Sequence, residues 1–317
     1  MSINLSAITY TPQVISSQLT QSLTASESQQ ATLEQQLATG NLVNQPSDNP
    51  TATSSLMQLN SSLARAKQYA TNAADGLGWL SLANSTVNSV MSNLQQARQL
   101  VLSISGSALS GQQAAITGIG DQLDSIRNQV INLANTQYGG QAIFAGTKQV
   151  NVAYDNSSPA TSGTFLGGGS AQTRSVAPGV KVPVSVTGDK VFGADPTGLL
   201  SPPSTTPGVP GGVMATLVAD VKAGNLQKAE TTDLSSLDAA IQTVSNAAAN
   251  LGAQYQQMQG FATQATNTQT ALQGQISAID GVNIAQASTQ LTQAQQTFQS
   301  GLWATAQIES HSLVQYL

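Results

Sequence analysis

Cysteine is absent from all 317 residues, which excludes disulfides, thiolate nucleophiles and cysteine-bound zinc. Charge is scarce too. Asp, Glu, Lys and Arg make up 8% of the chain, where average proteins carry about 25%. The net charge is −5 with no basic stripe, which argues against a nucleic-acid partner, because neutralising phosphates needs clustered Lys and Arg. No run of roughly 18 apolar residues occurs, so no membrane-spanning helix is expected. The first residues, Met1-Ser2-Ile3-Asn4-Leu5-Ser6, lack the basic n-region and apolar h-region of an ordinary secretory signal. Composition alone leaves the cytoplasm and the outside both open.

Catalytic equipment is equally thin. The one histidine, His311, lies near the C-terminus without an acidic partner in sequence, a poor setting for a general base. Gly167-Gly168-Gly169 lacks the spacing and strand–helix context of a phosphate loop and reads as a flexible loop. Asp121 and Asp124 stand three apart on a helix, too few oxygens for calcium, and read as a solvated face. Trp79 and Trp303 fall in helical runs, where core or interface packing is the expected use. No catalytic residue, cofactor or metal is predicted.

What is present is helical periodicity. Ile15, Leu19, Leu23, Leu33 and Leu37 predict one amphipathic helix from about Thr11 to Thr39, ended by Gly40 and kept from continuing by Pro46 and Pro50. Between Asn44 and Pro50 an ordered turn is expected, with Ser47 and Asp48 bonding nearby backbone N–H groups. A second helix carries Leu56, Leu59, Leu63, Ala66, Ala70, Ala73, Leu77 and Leu80, then Val87, Val90, Leu94, Ala97, Val101 and Ile104 after an expected register shift near Asn84. Ile116 to Leu133 forms a third stripe. Leu234, Leu237, Ile241, Val244, Ala248, Leu251, Tyr255 and Met258 open a fourth that extends to Ile279, and Ile284 to Phe298 opens the last. Heptads this sustained predict helices packed at small crossing angles.

Residues 141–212 differ. Val180 to Thr187 alternates apolar and polar as a half-buried strand should, with Pro183 suggesting an edge. Val150, Val152 and Tyr154 predict another strand and Phe165 a third. The fold class expected is therefore mainly α with a β insert: terminal helices pair as a coiled-coil hairpin within a helical bundle, and a small β domain projects from mid-chain. The expected domains are terminal arms (1–45 and 276–317), a helical bundle (46–140 and 230–275), a β-rich outer domain (141–212) and a short helix with its connection (213–229).

The arms carry the functional signal. From residue 1 to Gln45 the only charged side chains are Glu27 and Glu34, and the last forty residues hold only Asp280, Glu309 and His311. A free-standing helix keeps a charged outer face, whereas a helix enclosed by other proteins need not. These arms also lack the Glu–Lys pairs that support isolated helices. They are expected to be poorly ordered alone and helical on assembly. The proposed assembly residues are Ile15, Leu19, Leu23, Leu37, Pro46, Asp48, Pro50, Leu291, Phe298, Leu302 and Ile308.

The block Leu37-Ala38-Thr39-Gly40-Asn41-Leu42-Val43-Asn44-Gln45-Pro46-Ser47-Asp48-Asn49-Pro50 resembles the N-terminal signature of the hook-associated protein 3 family, the bacterial flagellar hook–filament junction proteins related to flagellin. The likeness continues through Gln96-Ala97-Arg98-Gln99-Leu100, the stretch from Leu133 to Thr147, the Val176–Gly193 segment and the C-terminal blocks Ile284–Leu291 and Leu313–Leu317. The resemblance implies terminal helices forming an inner tube, an outward β domain, export through the flagellar type III channel without a cleaved signal, and an extracellular place on the flagellum. The implied partners are further copies in a ring, a hook-associated protein on the hook side, flagellin on the filament side and a cytoplasmic export chaperone. Asn49 stands where the family usually has Asp, and Gln254 and Gln256 lie where Arg and Asn are common. Amide hydrogen bonds are the expected substitute for charged contacts there. Filament flagellin is the alternative within this family, and a type III-secreted translocator or tip protein the alternative outside it.

Overall fold

The computed structural model describes residues 12–105, 112–204 and 211–314. In chain order the elements are α1 (Pro12–Thr39), α2 (Pro50–Ser105), α3 (Gln113–Ala134), β1 (Gln137–Tyr138), β2 (Gln141–Ala142), β3 (Thr173–Ala177), β4 (Val180–Pro183), α4 (Gly188–Phe192), α5 (Val213–Lys222), α6 (Leu226–Lys228), a π-helical turn (Ala229–Asp233), α7 (Leu234–Asp280) and α8 (Ile284–Val314). The chain divides into two units, 1–64 with 269–317 and, separately, 65–268.

In the second unit the core is a heptad seam. Ala73, Gly76, Leu80, Ala83, Val87, Val90, Leu94, Ala97, Val101 and Ile104 are all buried and advance by strict steps of three and four. The register change expected near Asn84 is not there. Gly76 and Ala83 hold the seam positions that large apolar residues leave vacant. On α7 the buried residues Leu237, Val244, Leu251, Met258 and Ala265 recur every seventh position. The two helices run antiparallel, since a Cβ added at Gly76 would meet Met258 Cε at 2.9 Å while Arg98 Nε pairs with Asp238 Oδ1 at 2.6 Å. α3 adds Ile116, Leu123, Ile126, Val130 and Ile131 and packs on α5.

The β insert is smaller than its pattern suggests. β3 and β4 form an antiparallel hairpin in which Thr173 pairs with Pro183, so the missing proline N–H falls at the last rung. The alternating run from Val180 stops there. Val184 instead donates to Gln172 O, and Ser185 Oγ accepts from Gln172 N, both at 2.8 Å. Val150 and Val152 form no strand; Tyr154 makes a single bridge to Phe165. The Asn135 amide does the work of a ladder here. Its Oδ1 accepts from Ala153 N and Tyr154 N at 2.9 and 2.8 Å, and its Nδ2 donates to Tyr154 O at 2.8 Å. The hairpin is tied to α2 by Arg174 on Asp75 at 2.7 Å and by Asn72 Nδ2 donating to Ser175 O at 2.8 Å. The same guanidinium lies 6.0 Å from the centre of the buried Trp79 ring.

Between α5 and α7 two carboxyls are buried together. Asp220 receives Lys228 Nζ at 2.6 Å and Asn225 Nδ2 at 3.0 Å; burial pushes it up, but these hydrogen bonds outweigh burial and leave it below its ordinary range. Asp233 has a buried oxygen without a hydrogen-bond partner. Burial and the neighbouring Asp220 charge push it up to about 6. A carboxyl raised on folding favours the folded state when protonated, so its contribution is complete below the ordinary value and is lost as pH rises through about 6.

Two outcomes are expected. Leu94→Ala, at a fully buried seam position, lowers unfolding free energy in urea by about 2–5 kcal/mol. For the acid pair, the unfolding midpoint of the wild type declines from about pH 4 to about pH 6, whereas Asp233→Asn, which carries no charge to bury, loses most of that slope and melts higher at neutral pH.

Candidate assembly interface

The first unit is built on α1 and α8, antiparallel partners in direct contact. Gly40, at φ 73°, ends α1 with its N–H donating to Gln36 O at 2.8 Å, a left-handed geometry that glycine adopts without strain. The connections that follow α1 and α7 pair with each other. Asn41 bridges Gly281, Leu42 N donates to Asp280 O at 2.6 Å, and Val43 N donates to Asp280 Oδ1 at 2.9 Å. Asp48 folds the next turn as expected, its Oδ2 accepting from Asn44 N at 3.0 Å and Gln45 N at 2.9 Å. Asn49 caps α2 by accepting from Ala52 N at 3.0 Å, so the amide supplies the oxygen this position needs. Pro46, Asp48 and Pro50 are exposed.

The α1 seam consists of Leu19, Leu23, Ser26, Gln30, Leu33 and Leu37, again in steps of four and three. Leu33 is buried and the other five are half-buried. On α8 the seam runs through Ala287, Leu291, Ala294, Phe298, Gly301 and Thr305, of which the two alanines are buried and the rest half-buried. Of the sequence-expected residues, Leu19, Leu23, Leu37, Leu291 and Phe298 therefore meet on one seam. Leu302 does not join Phe298 on it. The heptad advances to Gly301 and Thr305, which leaves Leu302 48% exposed. The side chains of Ile15 and Ile308 lie outside the described residues, as does that of His311.

Spacing of large apolar residues misses the seam's polar and small members. Gln30 Nε2 donates to Ala294 O at 3.1 Å and Ser26 Oγ lies 3.5 Å from the same carbonyl. Polar groups at seam positions fix register in packed helices. A Cβ added at Gly301 would stand 2.8 Å from Leu23 Cδ2, so the backbones approach closely at that point.

Outside the seam the arms present apolar surface. Trp303 is 79% exposed, which settles its two expected uses against internal core, while Trp79 is core. Val14, Leu42 and Ile284 are also exposed, as is Met57 on α2. Among the described residues no group of three or more His, Cys, Asp or Glu gathers as a metal would require, and no helix is long and apolar enough to cross a membrane. Asp121 and Asp124 lie on the surface of α3 and share Lys222 Nζ at 2.9 and 3.5 Å.

The α1–α8 seam is a heptad of small, apolar and amide residues, most of them half-buried, which defines a class of two-helix coiled-coil hairpins. The bacterial flagellin N-terminal helical region matches residues 11–149, and the bacterial flagellin C-terminal helical region matches residues 234–317. Together these matches take in more than half of the sequence, and the chain belongs to the flagellin family. Curated relatives include flagellar hook-associated protein 3 of Escherichia coli (28% identical over 58% of this chain) and of Salmonella typhimurium (30% over 54%). The chain spans about half the length of these relatives, 56% and 52% respectively. Among solved structures, a flagellar hook-associated protein from Vibrio parahaemolyticus aligns with TM-score 0.62 at 20% identity, covering 74% of this chain and 100% of that one. FlgL of Bacillus cereus aligns at 0.55 and 20% identity, over 69% and 99%. These likenesses establish the shared fold.

Half-burial of the seam sets an expectation for the isolated protein. Backbone amides in residues 17–39 and 285–307 exchange with deuterium much faster than those of 73–104 and 237–265, because two half-covered helices open locally at little cost. Uniformly slow exchange would show that the hairpin is self-sufficient.

Proposed function

We propose that this chain is a structural subunit of the bacterial flagellum, a hook-associated protein at the hook–filament junction, assembled through its terminal helices. The observation that carries this reading is the α1–α8 hairpin: uncharged over most of its length, half-covered on its seam, and displaying Trp303 and Leu302 outward. The flagellin N- and C-terminal matches fall on these same helices. The names of the curated relatives support the junction over the filament. On this reading the ring of copies, the hook-side neighbour, flagellin and an export chaperone are the partners, and the protein is exported without a cleaved signal to the extracellular flagellum. It has no catalytic activity of its own, a role consistent with a chain whose functional surface is apolar seam and amide.

The arms at 1–45 and 276–317 form the assembly domain, with Ile15, Leu19, Leu23, Leu37, Leu291, Phe298, Leu302 and Ile308 as its apolar contacts and Pro46, Asp48 and Pro50 setting the turn. Each leucine or phenylalanine whose remaining surface is covered contributes up to about 1.5–3 kcal/mol, and a few must outweigh the cost of ordering the helices.

The test is made in the flagellated source strain. Deletion is expected to leave hooks that secrete filament subunits without assembling them, whereas loss of the filament subunit itself would leave no secreted flagellin and point to a filament protein. The Leu291→Ala, Phe298→Ala double variant should be exported and folded yet fail to incorporate at the hook tip. Normal incorporation with a destabilised monomer would make the seam internal core and overturn the assembly reading.

A further inference from the structure

Arg127, on α3, is 6% exposed, and its single hydrogen bond among the described residues runs from Nη2 to Ser162 O at 2.5 Å. Its Nε is buried without a partner. Burial pulls the guanidinium's pKa down against the opposing effect of Asp124. Buried charges in folded proteins are ordinarily paired, and this one is not. Asp124 makes no ion pair with it and is engaged by Lys222 at 3.5 Å.

Arg127 lines a cleft of about 570 Å³, walled by α3, α5, the 156–162 loop and Pro203. That volume is within the range of small-molecule sites. The loop is held in shape by its own hydrogen bonds: Gly163 N donates to Asp155 O at 2.7 Å, Asp155 N to Thr164 O at 2.9 Å, and Ser157 N to Asp155 Oδ1 at 2.9 Å. Gly163, at φ 94°, is pressed against Leu200 O and leaves no room for a side chain. The wall that presents Ser162 O to Arg127 is thus preformed.

The lining selects a ligand chemistry. Arginine's planar fork suits a carboxylate. Asn128 and Ser158 line the cleft with side chains that make no hydrogen bond among the described residues, and they match hydroxyl groups. Asp124 is also in the lining. It repels a dianion such as phosphate but accepts a hydrogen bond from a hydroxyl. Pro159, Ala215 and Val218 offer apolar contact to C–H groups. We propose that this cleft binds a carboxylate flanked by hydroxyls, the chemistry of a uronic acid, whether as a free sugar or as a unit of an acidic polysaccharide.

The test is calorimetry and saturation-transfer NMR on the full chain with glucuronate, glucose, acetate, inorganic phosphate and a galacturonate oligomer. Saturable binding of glucuronate or of the oligomer is expected, with glucose, acetate and phosphate weaker by at least about tenfold. Binding of the monomer assigns a free sugar as the source, and binding of the oligomer alone assigns a polysaccharide. Arg127→Gln weakens binding by about tenfold or more. Asn128→Ala, at an exposed position with no side-chain hydrogen bond among the described residues, weakens it with an unchanged melting midpoint and so separates binding from folding. The proposal is overturned if neither uronate binds saturably, if acetate or phosphate binds as well as glucuronate, or if folded Arg127→Gln keeps wild-type affinity.

Discussion

The strict three–four spacing from Ala73 to Ile104, packed antiparallel on the sevenfold repeat of α7, is the constraint on which the rest depends. Every seam position is apolar or glycine, and the charges on these helices, such as the half-exposed Arg98–Asp238 pair, lie outside the seam. Once that seam is closed, α2 offers Asn72, Asp75 and Trp79 as a fixed platform. The β3–β4 hairpin, too short to hold itself, is stable because Arg174 and Ser175 reach that platform. A two-stranded hairpin alone is marginal in water.

The hairpin of α1 and α8 obeys the same heptad rule with a different result. Its seam contains Ser26, Gln30, Gly301 and Thr305 where the second unit has Leu, Val and Ile, so burial contributes less and register rests on amide and hydroxyl bonds to Ala294 O. Two helices cannot cover each other's remaining faces. The exposed Trp303 and Leu302 are what such a hairpin leaves for a further surface to cover. The low charge of the arms fits the proposed assembly role: a charge enclosed between packed helices costs several kcal/mol unless paired, and uncharged amides avoid that cost.

Polar groups buried in the second unit divide by whether their partners are complete. Asn135 is fully used and substitutes for a strand. Asp220 is satisfied by Lys228 and Asn225 at the expense of Asp233, which meets the same site best when protonated. Arg127 is left with one acceptor and a cleft in front of it. In each case a hydrogen-bond inventory, not burial alone, separates a structural group from one available to a ligand or a proton.

Local rules made the helices legible in the sequence. Leu19 to Leu37, Leu80 to Ile104 and Leu237 to Met258 show their period directly, Gly40 and Asp48 announce the turn, and the missing charge on the arms is read from composition alone. These features depend on neighbours within a few residues along the chain. Tertiary structure decided what spacing cannot express. Glycine carries no apolar signal and alanine only a weak one, so Gly76, Ala83 and Gly301 became seam positions only when another helix came close. The alternation after Val180 became a strand only as far as a partner extended, and Val150 to Tyr154 lost its strand to the Asn135 amide. The unpaired state of Arg127 and the carboxyl pair of Asp220 and Asp233 join residues far apart in sequence. Burial and pairing are set by packing in three dimensions, and the chain order holds no local record of them.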